Sequence, residues 1–155
     1  MGDPNRNLIF ATFIRRQYPK AKSVLVIADG KGELSRKLAN KGFSVHTIEA
    51  KPRFEGKKHT HIEYKRGWFE ADKVIKIEED VIVGMHPDEA TGEIVHAALK
   101  FHKPFAIIPC CVKGKESRGL ARGDYIQWIN KLRLIGKCQI KALRFSGRNI
   151  VLFRK

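Results

Sequence analysis

The sequence predicts an α/β fold: a three-layer sandwich around a mostly parallel, seven-stranded sheet that ends in an antiparallel β-hairpin. Three observations carry this. The run Ser23 to Ala28 is β-branched and aliphatic without alternation, which is how a strand buried on both faces of a parallel sheet reads, and Phe43 to Ile48, Asp80 to Gly84 and Pro104 to Pro109 read as further strands of that sheet. Stretches of helical periodicity separate most of them. After the last helix the pattern changes to two strands about a turn.

Taken in order, Asp3 or Asn5 caps a first helix over about 5–17, with Leu8, Ile9, Phe13 and Ile14 as its apolar side, and Tyr18-Pro19 ends it. Ser23 to Ala28 is the first strand, Glu33 to Lys41 a helix closed by Gly42, and Phe43 to Ile48 the second strand. The gap between these strands admits a single crossover helix, hence a right-handed βαβ unit. Lys51 to Lys58 is a basic loop, and His61 to Tyr64 a short third strand.

Asp80 to Gly84 is the fourth strand, and Asp88 to Lys100 a helix with Ile94, Ala97, Ala98 and Phe101 inward. Pro104 to Pro109 is the fifth. A last helix over Gly123 to Ile135 turns Ile126, Ile129, Leu132 and Leu134 to the core. Lys137 to Phe145 and Ile150 to Arg154 then pair across a tight Ser146–Asn149 turn. No repeat, low-complexity tract or linker divides the chain, so residues 1–155 are expected to form a single domain around one core.

No apolar run approaches the roughly 18 to 20 residues of a membrane span, so no membrane partner is expected. Three cysteines, two of them adjacent, do not make a disulfide framework and point to a reducing, intracellular compartment, cytoplasm or nucleus. The Arg-rich amphipathic start is also compatible with an organellar address.

Charge is the strongest compositional fact: 31 Lys and Arg against 16 Asp and Glu leave +15. From Lys113 to Lys155 twelve basic residues face two acidic ones. Such an excess favours a polyanionic partner, because a basic side chain placed on a phosphate releases condensed counterions. A solubilising surface without a partner is the alternative.

The chemistry centres on Ala28-Asp29-Gly30-Lys31-Gly32-Glu33, where a buried strand turns into a helix. Glycines there permit sharp geometry and let main-chain N–H groups approach a ligand at the helix N-terminus. Glu49, at the end of the next strand, is placed to accept both hydroxyls of a ribose. A pyrophosphate-binding dinucleotide motif would need a third glycine where Ser35 stands, although Lys31 would suit a phosphate.

The segment VLVIADGKGELSRKLANKGFSVHTIEAK resembles the first motif of class I S-adenosylmethionine-dependent methyltransferases, and the layout matches over nearly the whole chain. The resemblance implies a Rossmann-like sheet and S-adenosylmethionine as cofactor, held by Ala28, Asp29, Gly30, Gly32, Glu49, Gly84 and His86; Trp68 and Phe69, after the third strand, are candidates to flank the adenine, with core packing as the alternative. The sequence departs from the family at Val26, where an acid is usual, and at Ala28, where glycine is usual.

Gly84-Met85-His86-Pro87 and Pro109-Cys110-Cys111 resemble the fourth motif and the P-C-C of one branch of the family. Both fall at carboxyl ends of parallel strands, where open α/β sheets bind ligands. In that layout His86 and Asp88 are candidates for orienting or deprotonating an acceptor, the alternative being that Asp88 caps the following helix and His86 only packs. Cys110 is a candidate nucleophile, with a buried structural thiol as the alternative. The missing two-residue spacer between the cysteines argues against zinc, and no metal is expected.

Lys113, Lys115, Arg118 and Arg122 follow on a loop at the same edge, which makes RNA the expected acceptor, with a protein partner as a possible source of substrate recognition. Two rival readings stand beside an RNA methyltransferase. One is a catalytically inactive relative that binds RNA or a ribonucleoprotein. The other is a small-molecule or protein methyltransferase.

Overall fold

The computed structural model describes residues 2–53 and 58–155, so residues 54–57 of the basic loop expected after the second strand lie outside the described residues. Its helices are α1 (Arg6–Gln17), α2 (Glu33–Asn40), α3 (Ala90–Lys100) and α4 (Tyr125–Gly136). Its strands are β1 (Ser23–Ile27), β2 (Ser44–Glu49), β3 (Ile62–Arg66), β4 (Val81–Met85), β5 (Phe105–Ile108), β6 (Gln139–Ala142) and β7 (Ile150–Arg154). They form one seven-stranded sheet in the order β3-β2-β1-β4-β5-β7-β6. The pairs among β1 to β5 are parallel, and β7 runs antiparallel to both β5 and β6.

Side chains alternate across the sheet, and that alternation makes the three layers. Val24, Val26, Val81, Val83, Ala106 and Ile108 pack with Phe10, Ala11 and Ile14 of α1 and Leu34 and Leu38 of α2. Leu25, Ile27, Ile82, Phe105 and Ile107 pack on the other face with Ile94 and Ala98 of α3 and Trp128, Ile129 and Leu132 of α4. Between β3 and β4 the crossover carries only a short 3₁₀ turn at Ala71–Lys73, and Phe69, Ala71 and Ile77 fill the second layer there.

Three local expectations are corrected. In α1 Ile14 is buried as expected and Ile9 and Phe13 pack half-buried on the core, but Leu8 is exposed and Asn7, Phe10 and Ala11 take the innermost places, so the inward stripe is shifted from the expected one. In α4 the inward set is Tyr125, Trp128, Ile129 and Leu132, with Ile126 and Leu134 exposed. Aromatic side chains decide both phases, because they remove more apolar area from water than the aliphatic residues left outside.

The third correction is the hairpin. β6 stops at Ala142, and a loop over 143–149 replaces the tight turn. Leu143 and Phe145 are buried, and Asn149 donates its side-chain amide to the carbonyls of both, at 2.7 and 3.1 Å. The loop thus satisfies its own backbone while covering the sheet next to α1.

Tyr18 ties the start of the chain to the sheet. Its hydroxyl lies 2.7 Å from the carbonyl oxygens of both Phe105 and Arg154, on the neighbouring strands β5 and β7. Burial pushes its pKa up, which keeps the hydroxyl a donor.

Candidate functional site

Strands β1, β2, β4 and β5 end at one edge of the sheet, and the strand order reverses between β1 and β4. That reversal opens a crevice, the usual ligand position in open α/β sheets. A cleft of about 890 Å³ lies there, with Ala28, Gly30, Glu49, Trp68, His86 and Asp88 among its walls.

The turn after β1 is built from tight conformations. Ala28 has φ +62°, Gly30 +47° and Gly32 +77°. Left-handed backbone is free for glycine and strained for alanine. The geometry therefore explains why glycine would suit position 28. At Gly30 a Cβ would sit 2.8 Å from Nη2 of Arg53, so the missing side chain admits a guanidinium over the turn.

Glu49 fixes this turn from the next strand. Its carboxylate accepts the Gly30 N–H at 2.7 Å and the Lys51 N–H at 2.8 Å. The Arg53 N–H in turn donates to the Gly30 carbonyl at 2.8 Å, so the backbone groups of Gly30 are held by the last residue of β2 and by the loop after it.

Asp29 faces away from the cleft. Its carboxylate accepts the N–H groups of Leu34 at 3.2 Å and Ser35 at 2.7 Å in the first turn of α2, and the Ser35 hydroxyl at 2.5 Å. Ser35 in turn lies 2.6 Å from the Thr47 hydroxyl in β2. Desolvation outweighs these bonds and raises the Asp29 pKa to about 6. The residue anchors α2 to β2 rather than lining the cleft.

His86 and Asp88, just past β4, both have φ +51°. Ring nitrogen Nε2 of His86 is 3.1 Å from the Arg148 carbonyl. A carbonyl only accepts, so Nε2 carries the proton and Nδ1 keeps the lone pair of the neutral ring. Burial lowers the His86 pKa and favours that neutral form.

Oδ1 of Asp88 is 3.2 Å from the Cys110 sulfur, and Oδ2 is 3.9 Å from the Lys113 ammonium. The Cys110 and Cys111 sulfurs are 3.2 Å apart. Desolvation, followed by the neighbouring thiol and carboxylate, pushes the Cys110 pKa well above the ordinary thiol range, so the sulfur is held as a thiol.

Of the residues expected to hold a cofactor, Ala28, Gly30, Glu49, Trp68, Phe69 and His86 line the cleft. Trp68 is 70% exposed, which leaves its ring face free, whereas Phe69 is buried in the second core layer. Gly84 lies inside β4, where a Cβ would come within 2.8 Å of Ile94 Cδ1, so its role is close packing against α3. Gly32 caps α2 and, like Gly84, is not among the lining residues.

The four basic residues after β5 divide. Lys113 approaches Asp88 and Glu89, and Lys115 lies 3.5 Å from Glu93, so both are docked on the start of α3. Glu116 completes the docking on His96 at 2.9 Å and rests against Gly92, where a Cβ would collide with it. Arg118 and Arg122 are exposed outside the cleft.

A second, polar pocket of about 300 Å³ adjoins the cleft between α1 and the glycine turn. Arg6, Lys31, Arg53 and His86 line it against Asp29 and Glu33. Sequence reasoning missed Arg53, which lines both spaces, because nothing local distinguishes it from its basic neighbours.

Among solved structures, the chain is similar to the sugar N-methyltransferase KedS8 from a Streptoalloteichus species, with a TM-score of 0.63 at 15% identity over 98% of this chain and 87% of that one. The chain has the Rossmann-like methyltransferase fold. Human N-acetylserotonin methyltransferase, solved in complex with S-adenosylmethionine, gives a TM-score of 0.60 at 14% identity over 98% of this chain and 52% of that one. The CcbJ methyltransferase from Streptomyces caelestis gives 0.52 at 20% identity over 70% of this chain and 50% of that one. The chain thus spans about half the length of the CcbJ and human enzymes. No protein-family model and no curated protein sequence matches it.

Proposed function

We propose that the chain transfers a methyl group from S-adenosylmethionine to an RNA acceptor. The observation that carries the cofactor half is Glu49 at the end of β2, bonded to the Gly30 N–H on one side of a cleft whose wall includes the exposed ring of Trp68. A carboxylate and a free aromatic face match the two parts of an adenosyl group, the ribose hydroxyls and the adenine, and the glycine turn between them would let the main chain approach the ligand.

Arg53 supplies what the sequence pattern does not announce. Val26, where an acid is usual, is fully buried between the sheet and the first helix layer, so no carboxylate stands there. The guanidinium over Gly30 would instead hold the ligand's α-carboxylate, a pairing Arg is shaped for. When bound, S-adenosylmethionine supplies a methyl on a sulfonium sulfur to a nucleophile aligned with it. His86 orients that nucleophile through the lone pair of Nδ1, a role that needs alignment more than proton removal.

The RNA half rests on the +15 charge and on the exposed Arg118 and Arg122. A small-molecule acceptor is the second reading. It is supported by the ion pairs that engage Lys113 and Lys115, and by the sugar substrate named for the KedS8 relative.

Calorimetry with S-adenosylmethionine tests the first half: one-to-one binding is expected, and no heat at millimolar ligand would sink it. Transfer of labelled methyl to total RNA tests the second half. Label that enters only small molecules would replace RNA by the second reading.

A further inference from the structure

We infer that Cys110, Cys111 and Asp88 form a binding site for a soft divalent cation such as zinc or cadmium, beside the acceptor end of the cleft. The inference is independent of the methyltransferase reading. It stands on three donor atoms that the fold brings together from two strand ends: one carboxylate oxygen and two sulfurs, all within 4.8 Å of one another. The two sulfurs come from the loop after β5, and the oxygen from the loop after β4.

Adjacent cysteines alone are a poor metal motif, for want of a spacer. The third donor changes that, and it comes from 22 residues away in sequence. Asp88 is presented by a left-handed backbone, φ +51°, which turns Oδ1 to the Cys110 sulfur at 3.2 Å. Its other oxygen faces Lys113 at 3.9 Å. That ammonium would offset the charge left when a divalent ion meets two thiolates and a carboxylate.

A disulfide is the competing use of a thiol pair. Neighbouring residues hold their Cα atoms about 3.8 Å apart, whereas a relaxed disulfide spans roughly 4.4 to 6.8 Å. The pair is therefore better suited to remain a dithiol. An ion with bonds to sulfur of about 2.3 Å would part the sulfurs slightly from their 3.2 Å separation, a change that side-chain rotation supplies. Binding replaces two S–H protons by the ion: the dication enters, two protons leave to solvent, and no electron moves. Three protein donors leave a fourth position open, the ligand count of metal sites that also take an exogenous group.

The test is titration of the reduced, full-length chain with cadmium chloride, read by the sulfur-to-cadmium charge-transfer band, with zinc displacing cadmium as a second readout. One equivalent is expected to saturate the band. The Cys110→Ser/Cys111→Ser variant should abolish it, Cys138→Ser should leave it intact, and Asp88→Asn should weaken binding at least tenfold.

A mapping experiment on the unmodified chain covers any variant that fails to fold. Cadmium should protect Cys110 and Cys111, but not Cys138, from alkylation by iodoacetamide. A band that persists without Cys110 and Cys111, equal protection of all three cysteines, full affinity in Asp88→Asn, or no saturable band with excess cadmium would each overturn the site.

Discussion

The carboxylate of Glu49 and the backbone N–H of Gly30 meet at 2.7 Å, joining the end of β2 to the turn after β1. Removing that carboxylate leaves two N–H groups, of Gly30 and Lys51, without their acceptor. Glu49→Ala should lower unfolding free energy by about 1 to 3 kcal/mol. It should also weaken S-adenosylmethionine by tenfold or more, both read on one preparation by urea unfolding and calorimetry. A variant that binds as tightly as the parent would remove Glu49 from the ribose.

Arg53 separates cofactor from acceptor effects. Arg53→Ala should raise the dissociation constant for S-adenosylmethionine at least tenfold, the scale of one charge-assisted contact. Adenosine, which has no carboxylate, should bind the variant and the parent alike. Equal losses for both ligands would mean that Arg53 shapes the turn and does not recognise the ligand.

Asp29 gives stability a pH dependence of defined sign. Its folded-state pKa of about 6 lies above the ordinary value of 3.8, so its contribution is fully present below that lower value and is lost as pH rises through about 6. Other carboxylates oppose this trend: Asp3 and Asp80 are held low, chiefly by backbone N–H bonds. The informative quantity is therefore the difference between the parent and Asp29→Asn. In urea titrations from pH 4 to 7, the parent should lose stability relative to the variant as pH rises, and a flat difference would contradict the raised pKa.

Gly84 tests packing under the site. A Cβ there meets Ile94 Cδ1 at 2.8 Å, and Gly84→Ala should destabilise by about 1 to 3 kcal/mol. Ile94→Val removes that methyl, and the double variant should lose less than the two single losses together. Strict additivity would show that the contact is relieved elsewhere.

If RNA is the acceptor, Arg118→Ala/Arg122→Ala should weaken binding across sequences and reduce the log–log salt slope by about 2, one for each lost phosphate contact. Lys113→Ala and Lys115→Ala should change the slope less, because acidic side chains already engage both residues. The ranking is read from filter binding across a salt series.

Strands β1, β4 and β5 and the glycine turn were legible because their signals are local: a run buried on both faces leaves no alternation, and a sharp turn after it calls for glycine. On α1 and α4 the sequence marks Ile14, Ile129 and Leu132 as inward, but apolar residues surround both helices, and only tertiary contact selects Phe10 and Trp128 over Leu8 and Leu134. The loop over 143–149 hid for a similar reason, since Leu143 and Phe145 read as strand until Asn149 is seen holding their carbonyls. At the site, Glu49 and His86 were marked by their place at strand ends. The meeting of Asp88 with Cys110, and of Arg53 with Gly30, depends on chain crossings that no spacing encodes.

Ala28, His86 and Asp88 share one backbone property: each adopts a left-handed conformation that a side-chain-bearing residue resists, and each borders the cleft. Glycine at any of the three would relax the chain there, by roughly 1 kcal/mol per position. The most accessible gains in durability thus lie where rigidity of the cleft would be given up. Anyone hardening this protein for heat should work on the far edge of the sheet and leave these three alone.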